Sequence, residues 1–198
     1  MPTNKDFTPF YLKDKVDREI DRFAAKASPT QHDLNQITTA AKVQKGIDNY
    51  RAKAKNMTYD EFINEKHRSR RLAKMLARDG EPRPSKRCDA HAIVSGGHRF
   101  ADATRGIMAR FGMRIDDPDN GCWLPRGEED KIYMPPHLRN AVAHNRIHRE
   151  AYYGWLQTLI NRVLIHDITD LTRTLKMIKL RLQSSALPSR IIPPVKKV

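Results

Sequence analysis

Four residues in order, His91, Asn120, His144 and His148, have the types and spacing of a metal-dependent hydrolytic site. They lie in Asp89-Ala90-His91-Ala92-Ile93-Val94, Asn120-Gly121-Cys122-Trp123-Leu124-Pro125 and His144-Asn145-Arg146-Ile147-His148. His144 and His148 are four apart, so on a helix both imidazoles leave one face, roughly 5–6 Å apart at Cβ. Two nitrogens so placed converge on one cation at about 2.0–2.1 Å. His91, from a β-like segment, completes a facial set and leaves positions for water and a phosphate oxygen. Such an ion polarises a scissile phosphate and offsets charge growing on the leaving oxygen. A nearby neutral imidazole then takes the proton of the attacking water. In a strand-turn-strand-helix arrangement the place for that base is beside His91, where this chain has Ala92. A His-x-x-x-His pair alone is weak evidence for a metal, and Asn120-Gly121 alone is a turn. Order and spacing carry the argument.

The elements that must position these residues follow from the apolar pattern. Leu12, Val16, Ile20, Phe23 and Ala27 form one helical stripe, and Leu34, Ile37, Ala41, Ile47 and Tyr50 a weaker one. Between them Ser28-Pro29 reads as a cap followed by a first-turn proline. Thr58 with Glu61 fits a capping box, and Phe62, Leu72, Met75 and Leu76 extend that helix to a stop at Gly80. Lys66 to Arg87 is rich in basic residues, either a solvated helix face or a phosphate-contacting surface.

Glu81-Pro82-Arg83-Pro84-Ser85 cannot continue a helix. Cys88 to Val94 is β-capable, Phe100 to Phe111 helical with a stop at Gly112, and 116–121 a dense turn before the strand Cys122-Trp123-Leu124. A long helical tract is expected from Pro135-Pro136, with a break near Asp167 or Thr169 and an end near Ser185. This divides the chain into a helical region 1–80, a linker 81–87, a catalytic domain 88–186 and a mobile tail 187–198. The fold class is α+β, predominantly α-helical, with a small ββα core braced by long C-terminal helices. Tyr152, Tyr153 and Trp155 read as core rather than as a base-stacking platform.

Bulk composition narrows the function classes. The chain has 198 residues, 30% of them charged, and a mean hydropathy of -0.71, yet its apolar spacing is regular. That pattern excludes wholesale disorder. A net charge of +14 and a pI near 10.0 point to polyanionic partners, nucleic acid first. No apolar run is long enough to span a bilayer, and Met1 to Lys15 lacks a signal-peptide core. Two cysteines, Cys88 and Cys122, argue for reduced structural thiols over a disulfide scaffold.

The segment from about Cys88 to Leu159 resembles the AHH nucleases, toxin domains of the HNH/endonuclease VII superfamily with a ββα-metal core. Their Ala-His-His signature is matched by Ala90-His91-Ala92 with Ile93-Val94 following. Asn120-Gly121 with Leu124-Pro125 matches the second block, and His144 and His148 followed by Tyr152 or Tyr153 the third. The resemblance implies that His91, His144 and His148 hold one divalent ion (Mg, Zn or Ni), that Asn120 orients the loop, and that position 92 is the general base.

Ala92 departs from that pattern. It implies an inactivated copy, through a deliberate substitution, or a degenerate domain, or one using His98 or His137 as a substitute base; the first is favoured. Arg87, Arg99, Arg146 and Arg149 are the candidate DNA contacts. The resemblance further implies a DNase effector of bacterial antagonism, exported without a classical signal, by type VI or another contact-dependent route, into a competitor's cytoplasm. An acidic immunity protein, an adaptor or carrier, and no membrane insertion follow from it. An RNase of the same fold and a non-catalytic nucleic-acid-binding protein are the alternatives.

Overall fold

The structure, a computed structural model, describes residues 8–192. Residues 1–7, part of the Met1 to Lys15 stretch, and residues 193–198 of the expected tail lie outside the described residues. The fold is α+β and mostly helical around one two-stranded antiparallel sheet, as expected.

Helix α1 (Lys15–Ala24) is closed by a reciprocal pair in which the Asp14 carboxylate accepts from Asp17 N and Asp17 reaches back to Asp14 N. Helix α2 (Gln31–Ala52) starts two residues later than the Ser28-Pro29 pattern implies. Asp33 Oδ2 accepts from Thr30 N and Thr30 Oγ1, both at 2.8 Å, which makes Thr30 the better start.

The expected single helix from Thr58 to Gly80 is two helices. The Thr58–Glu61 capping box forms, but α3 ends after one turn (Tyr59–Ile63) and α4 occupies Ser69–Arg78. Stronger partners take the intervening residues out of helical geometry. Glu65 accepts from Arg114, Arg71 and Ile115 N. His67 and the Arg68 amide are bound to Asp116. Helix α4 ends at Gly80, whose φ of 95° is the left-handed conformation that favours glycine.

The segment 81–87 joins α4 to a strand that packs on it. Strand β1 (Cys88–Ala92) pairs with β2 (Gly121–Pro125) in the register Cys88↔Pro125, His91↔Cys122, Ala92↔Gly121. Alternation puts Cys88, Ala90 and Ala92 on one face and Asp89 and His91 on the other. The first face meets α4. A Cβ on Gly121 would fall 2.6 Å from Leu72 Cδ1 and 3.1 Å from Leu76 Cδ2, so that contact requires glycine. Leu72 and Leu76 are fully buried in the same apolar core as the sheet. Both cysteines are free and buried, and burial pushes the Cys122 thiol up to about 12.

Helix α5 (Asp102–Arg110) ends at Gly112 as read. After β2 come three 3-10 turns, Glu128–Tyr133, Pro136–Leu138 and His144–Arg146, and the last two take the place of the first part of the long helix expected from Pro135-Pro136. Backbone groups here are committed elsewhere: Val142 N donates to Leu182 O at 2.9 Å and Asn145 N to Arg126 O at 3.1 Å. Helix α6 (Glu150–Leu159) buries Tyr152, Tyr153, Trp155 and Leu156. Asp167 caps α7 (Ile168–Gln183) by accepting from Asp170 N at 2.8 Å, and Leu171, Leu175, Ile178 and Leu182 face the core.

The tail is anchored further than expected. Ile191 is buried in the main core, with Leu187 and Ile192 packed beside it, because apolar side chains there find partners.

Removing side chain from the α4–sheet contact should destabilise the whole core. Leu76→Ala is expected to cost about 2–5 kcal/mol, read as a lower urea midpoint for a single transition. A change confined to a separate N-terminal transition would show that α4 folds apart from the sheet.

Candidate metal centre

Three elements deliver three imidazoles to one point. His91 comes from the penultimate position of β1, His144 from the 3-10 turn His144–Arg146, and His148 from the short loop before α6. One ring nitrogen of each lies within 4.8 Å of the others. The expected helix bearing His144 and His148 is therefore a turn and a loop, yet the pair still converges. Their Nε2 atoms are 3.1 Å apart, close to the separation of about 3.3 Å between two ligands at ~2.0 Å on a tetrahedral ion.

The remaining nitrogens are held from behind. His144 Nδ1 lies 3.2 Å from Asp89 Oδ2, and His148 Nδ1 3.0 Å from the Tyr153 hydroxyl. The Tyr152 hydroxyl donates to Ile93 O at 2.9 Å and lies 3.4 Å from His91 Nε2. Such outer partners fix ring orientation and the nitrogen that faces inward. Burial, then the neighbouring His144 and His148, pushes the His91 imidazole well below its ordinary range, so its lone pair stays available. Burial, then His144, lowers His148 as well. Burial pushes the Asp89 carboxyl up, but hydrogen bonds from Arg126 and His144 outweigh it and hold it below its ordinary value. The donor set fits a single divalent cation.

Asn120, with no exposed surface, ties the end of β1 to the turn before β2. Its Oδ1 accepts from Val94 N at 2.8 Å, and its Nδ2 donates to Val94 O at 3.1 Å and Ile115 O at 2.8 Å. Ala92 is buried on the α4 face, opposite His91. His98 stacks on Tyr153 with ring centroids 4.2 Å apart, and its Nδ1 accepts from Phe100 N at 3.3 Å. His137 is exposed on the turn Pro136–Leu138, away from the cluster's contacts. Arg99 and Arg149 are exposed and flank His98 and His148 in the chain. Arg87 is paired with Asp130 and stacked over Tyr133, and Arg146 is paired with Glu128.

Sequence reasoning passed over Asp89 and the two tyrosine hydroxyls. Asp89 was detectable, because residues two apart on a strand share a face. Tyr152 and Tyr153 are core, as read, but their polar tips also reach the site. His67 and Asp116, 49 residues apart, carried no local signal.

Residues 72–181, more than half of the chain, match a nuclease family of the HNH/ENDO VII superfamily with conserved AHH. The chain belongs to this family and is a nuclease. No curated protein and no solved structure matches it.

If the outer partners set the cluster, Asp89→Asn should weaken divalent-metal binding about 10–100-fold with little change in fold. Calorimetric titration with zinc or nickel measures this. Unchanged affinity would show that Asp89 serves only its ion pair with Arg126.

Proposed function

We propose that the chain is a divalent-metal-dependent endonuclease that hydrolyses DNA with little sequence preference. The observation that carries this reading is the convergence of His91, His144 and His148 within 4.8 Å, in a chain of a nuclease family. When bound, the cation supplies electrophilic stabilisation of the phosphate and leaving oxygen. The three histidines hold it, and Asn120 keeps the strand that bears His91 in register. Exposed Arg99 and Arg149 bind flanking phosphates through their planar guanidinium forks. Arg87 and Arg146, already paired with carboxylates, contribute less. The charge of +14 favours a polyanion substrate and makes binding strongly salt-dependent.

In this reading Ala92 stands where the family's second histidine belongs. Its methyl group cannot take a proton, so the chain is impaired at the step that activates water. We further infer, from the family resemblance, a role as an effector in bacterial antagonism, delivered into a competing cell. Its producer would then carry an acidic immunity protein that complements the basic surface.

Plasmid cleavage with magnesium, zinc or nickel, with and without a chelator, tests the reading. Ala92→His is expected to raise the rate about 10²–10⁴-fold, the usual contribution of a positioned base. His144→Ala should abolish cleavage and metal binding together. Parallel assays on RNA separate the two sugars. Absence of cleavage by a folded, metal-loaded Ala92→His protein overturns the reading.

A further inference from the structure

The basic run from Lys66 to Arg87 includes two arginines, Arg71 and Arg78, that line a cleft of about 380 Å³ at the seam between α2 and α4. That size is within the ordinary range for small-ligand sites. Tyr50 and Met75 give the cleft an apolar wall and, with Ile47, form a small core of their own. Lys53 and Arg114 complete the basic lining, and no carboxylate lines the cleft among the described residues. Arg71 and Arg114 are balanced from behind, since both pair with Glu65 and Arg71 also pairs with Asp116. Their guanidinium groups lie over the Tyr50 ring, 5.4 Å and 4.0 Å from its centroid. Ion pair and ring together hold both groups in place at the cleft.

Arg78 and Lys53 differ from these two, because neither pairs with a carboxylate among the described residues. The oxygen partner of Arg78 is Gly46 O, 3.3 Å from Nη1, which leaves Nε and Nη2 for another acceptor. Its guanidinium occupies the space that a side chain at Gly46 would fill. A Cβ there would fall 2.5 Å from Arg78 Cζ, 2.6 Å from Nη1 and 2.8 Å from Nε. Glycine inside a helix is among the least favourable residues, and in α2 its missing side chain is what seats the arginine. Lys53, exposed, follows at the end of α2. Two uncompensated cations therefore face an acid-free cleft, and one of them is a planar fork held by its neighbours. Such a fork matches the oxygens of a phosphate, and bonds between ionised partners are the strong ones. The cleft beside Phe10 and Leu180, by contrast, sets Asp79, Glu81 and Asp119 among its cations and neutralises itself.

We propose that this cleft is a phosphate-binding site in which Arg78 and Lys53 hold a backbone phosphate of the nucleic acid, away from the bond that is cleaved. The choice of ligand rests on the DNA-endonuclease reading. Membership of a nuclease family and a charge of +14 favour a nucleic-acid phosphate over an acidic protein. Helix α4 lines the cleft with Arg71, Met75 and Arg78 and packs on the sheet with Leu72 and Leu76. His91 leaves the opposite face of that sheet. The cleft is thus separate from the histidine cluster, and a phosphate held there strengthens binding of substrate and transition state alike. Gly46, Tyr50 and Lys53 precede the segment 72–181, so the site gives the helices before it a part in substrate binding.

The test is fluorescence anisotropy of labelled duplex DNA across a salt series, with a chelator present so that nothing is cut. It compares the unsubstituted chain with Arg78→Gln, Gly46→Ala and Lys74→Gln, and thermal melting by circular dichroism is run on each. Arg78→Gln should weaken binding roughly 10-fold at low salt and lower the slope of log affinity against log salt by about one. Gly46→Ala keeps every charge and favours the helix, so it should melt no lower, yet weaken binding by displacing the guanidinium. Lys74→Gln removes an exposed charge of α4 outside the cleft and should change affinity far less. Unaltered binding by folded Arg78→Gln overturns the proposal, as does an equal loss in Lys74→Gln, which is the mark of bulk charge. Titrations with inorganic phosphate and with polyglutamate separate the other sources. Arg78-dependent binding of either, beside DNA affinity that ignores Arg78, overturns the assignment to nucleic acid. Plasmid cleavage by Ala92→His alongside any of these negative results leaves the metal-nuclease reading standing. An unsubstituted chain that binds no DNA overturns both.

Discussion

The three hydrogen bonds of the buried Asn120 amide are the constraint on which the site depends. They bind Val94 through both its N–H and its C=O and hold Ile115 O at the same point. The segment leaving β1 and the segment entering β2 are thereby fixed to each other just beyond the last ladder pair. Without Asn120, a buried amide and two buried carbonyls would lose their partners, each at a cost of about 1–3 kcal/mol. His91 is the penultimate residue of β1, so freedom there would move the cluster directly. His144 and His148 cannot compensate, because they sit in a turn and a loop, held through Asn145 N to Arg126 O, and are not carried on a rigid helix.

The sheet is the second constraint, and its alternation separates two kinds of chemistry. Asp89 and His91 leave one face, toward the histidine pair and the tyrosine hydroxyls. Cys88, Ala90 and Ala92 leave the other, toward α4. A one-residue slip would exchange these sets and bury His91 under Leu72 and Leu76. The small residues at 90, 92 and 121 allow α4 to lie flat on the sheet. Gly121 cannot carry a side chain without displacing Leu72. Closeness of α4 in turn brings the His67 turn to the strand exit.

Much of this was legible in the residues. The order of His91, His144 and His148 anticipated the cluster they form, and Asn120-Gly121 marked the turn that leads into β2. The capping box at Thr58 and the glycine stops at 80 and 112 were readable because they are local devices. What was not legible depends on distant partners. Nothing in Asn64 to Arg68 announces a helix break, since the partners that enforce it, Arg114 and Asp116, lie about fifty residues away. Likewise 141–149 reads as helix by period, but its amides are taken by Leu182 and Arg126. Where a backbone group has a long-range partner, periodicity misplaces the element.

The region before the matched segment acquires a physical role from these same long-range contacts. Arg51 at the end of α2 forks onto Asp117 at 2.8 Å through two nitrogens and reaches Asp119 at 2.9 Å. Arg71 and His67 take Asp116, and Lys176 of α7 approaches Asp119. Asp116 to Asp119 is thus an acidic turn inside a chain of charge +14, and its three carboxylates are consumed by cations from three other elements. That arrangement clamps the turn carrying Asn120 from the outside while Asn120 clamps it from within. It also leaves few acids to oppose the exposed arginines near His98 and His148. A nuclease acts on a polyanion, so placing these acids in a buried turn has two effects. The turn is fixed, and its three carboxylates are paired with cations instead of facing solvent.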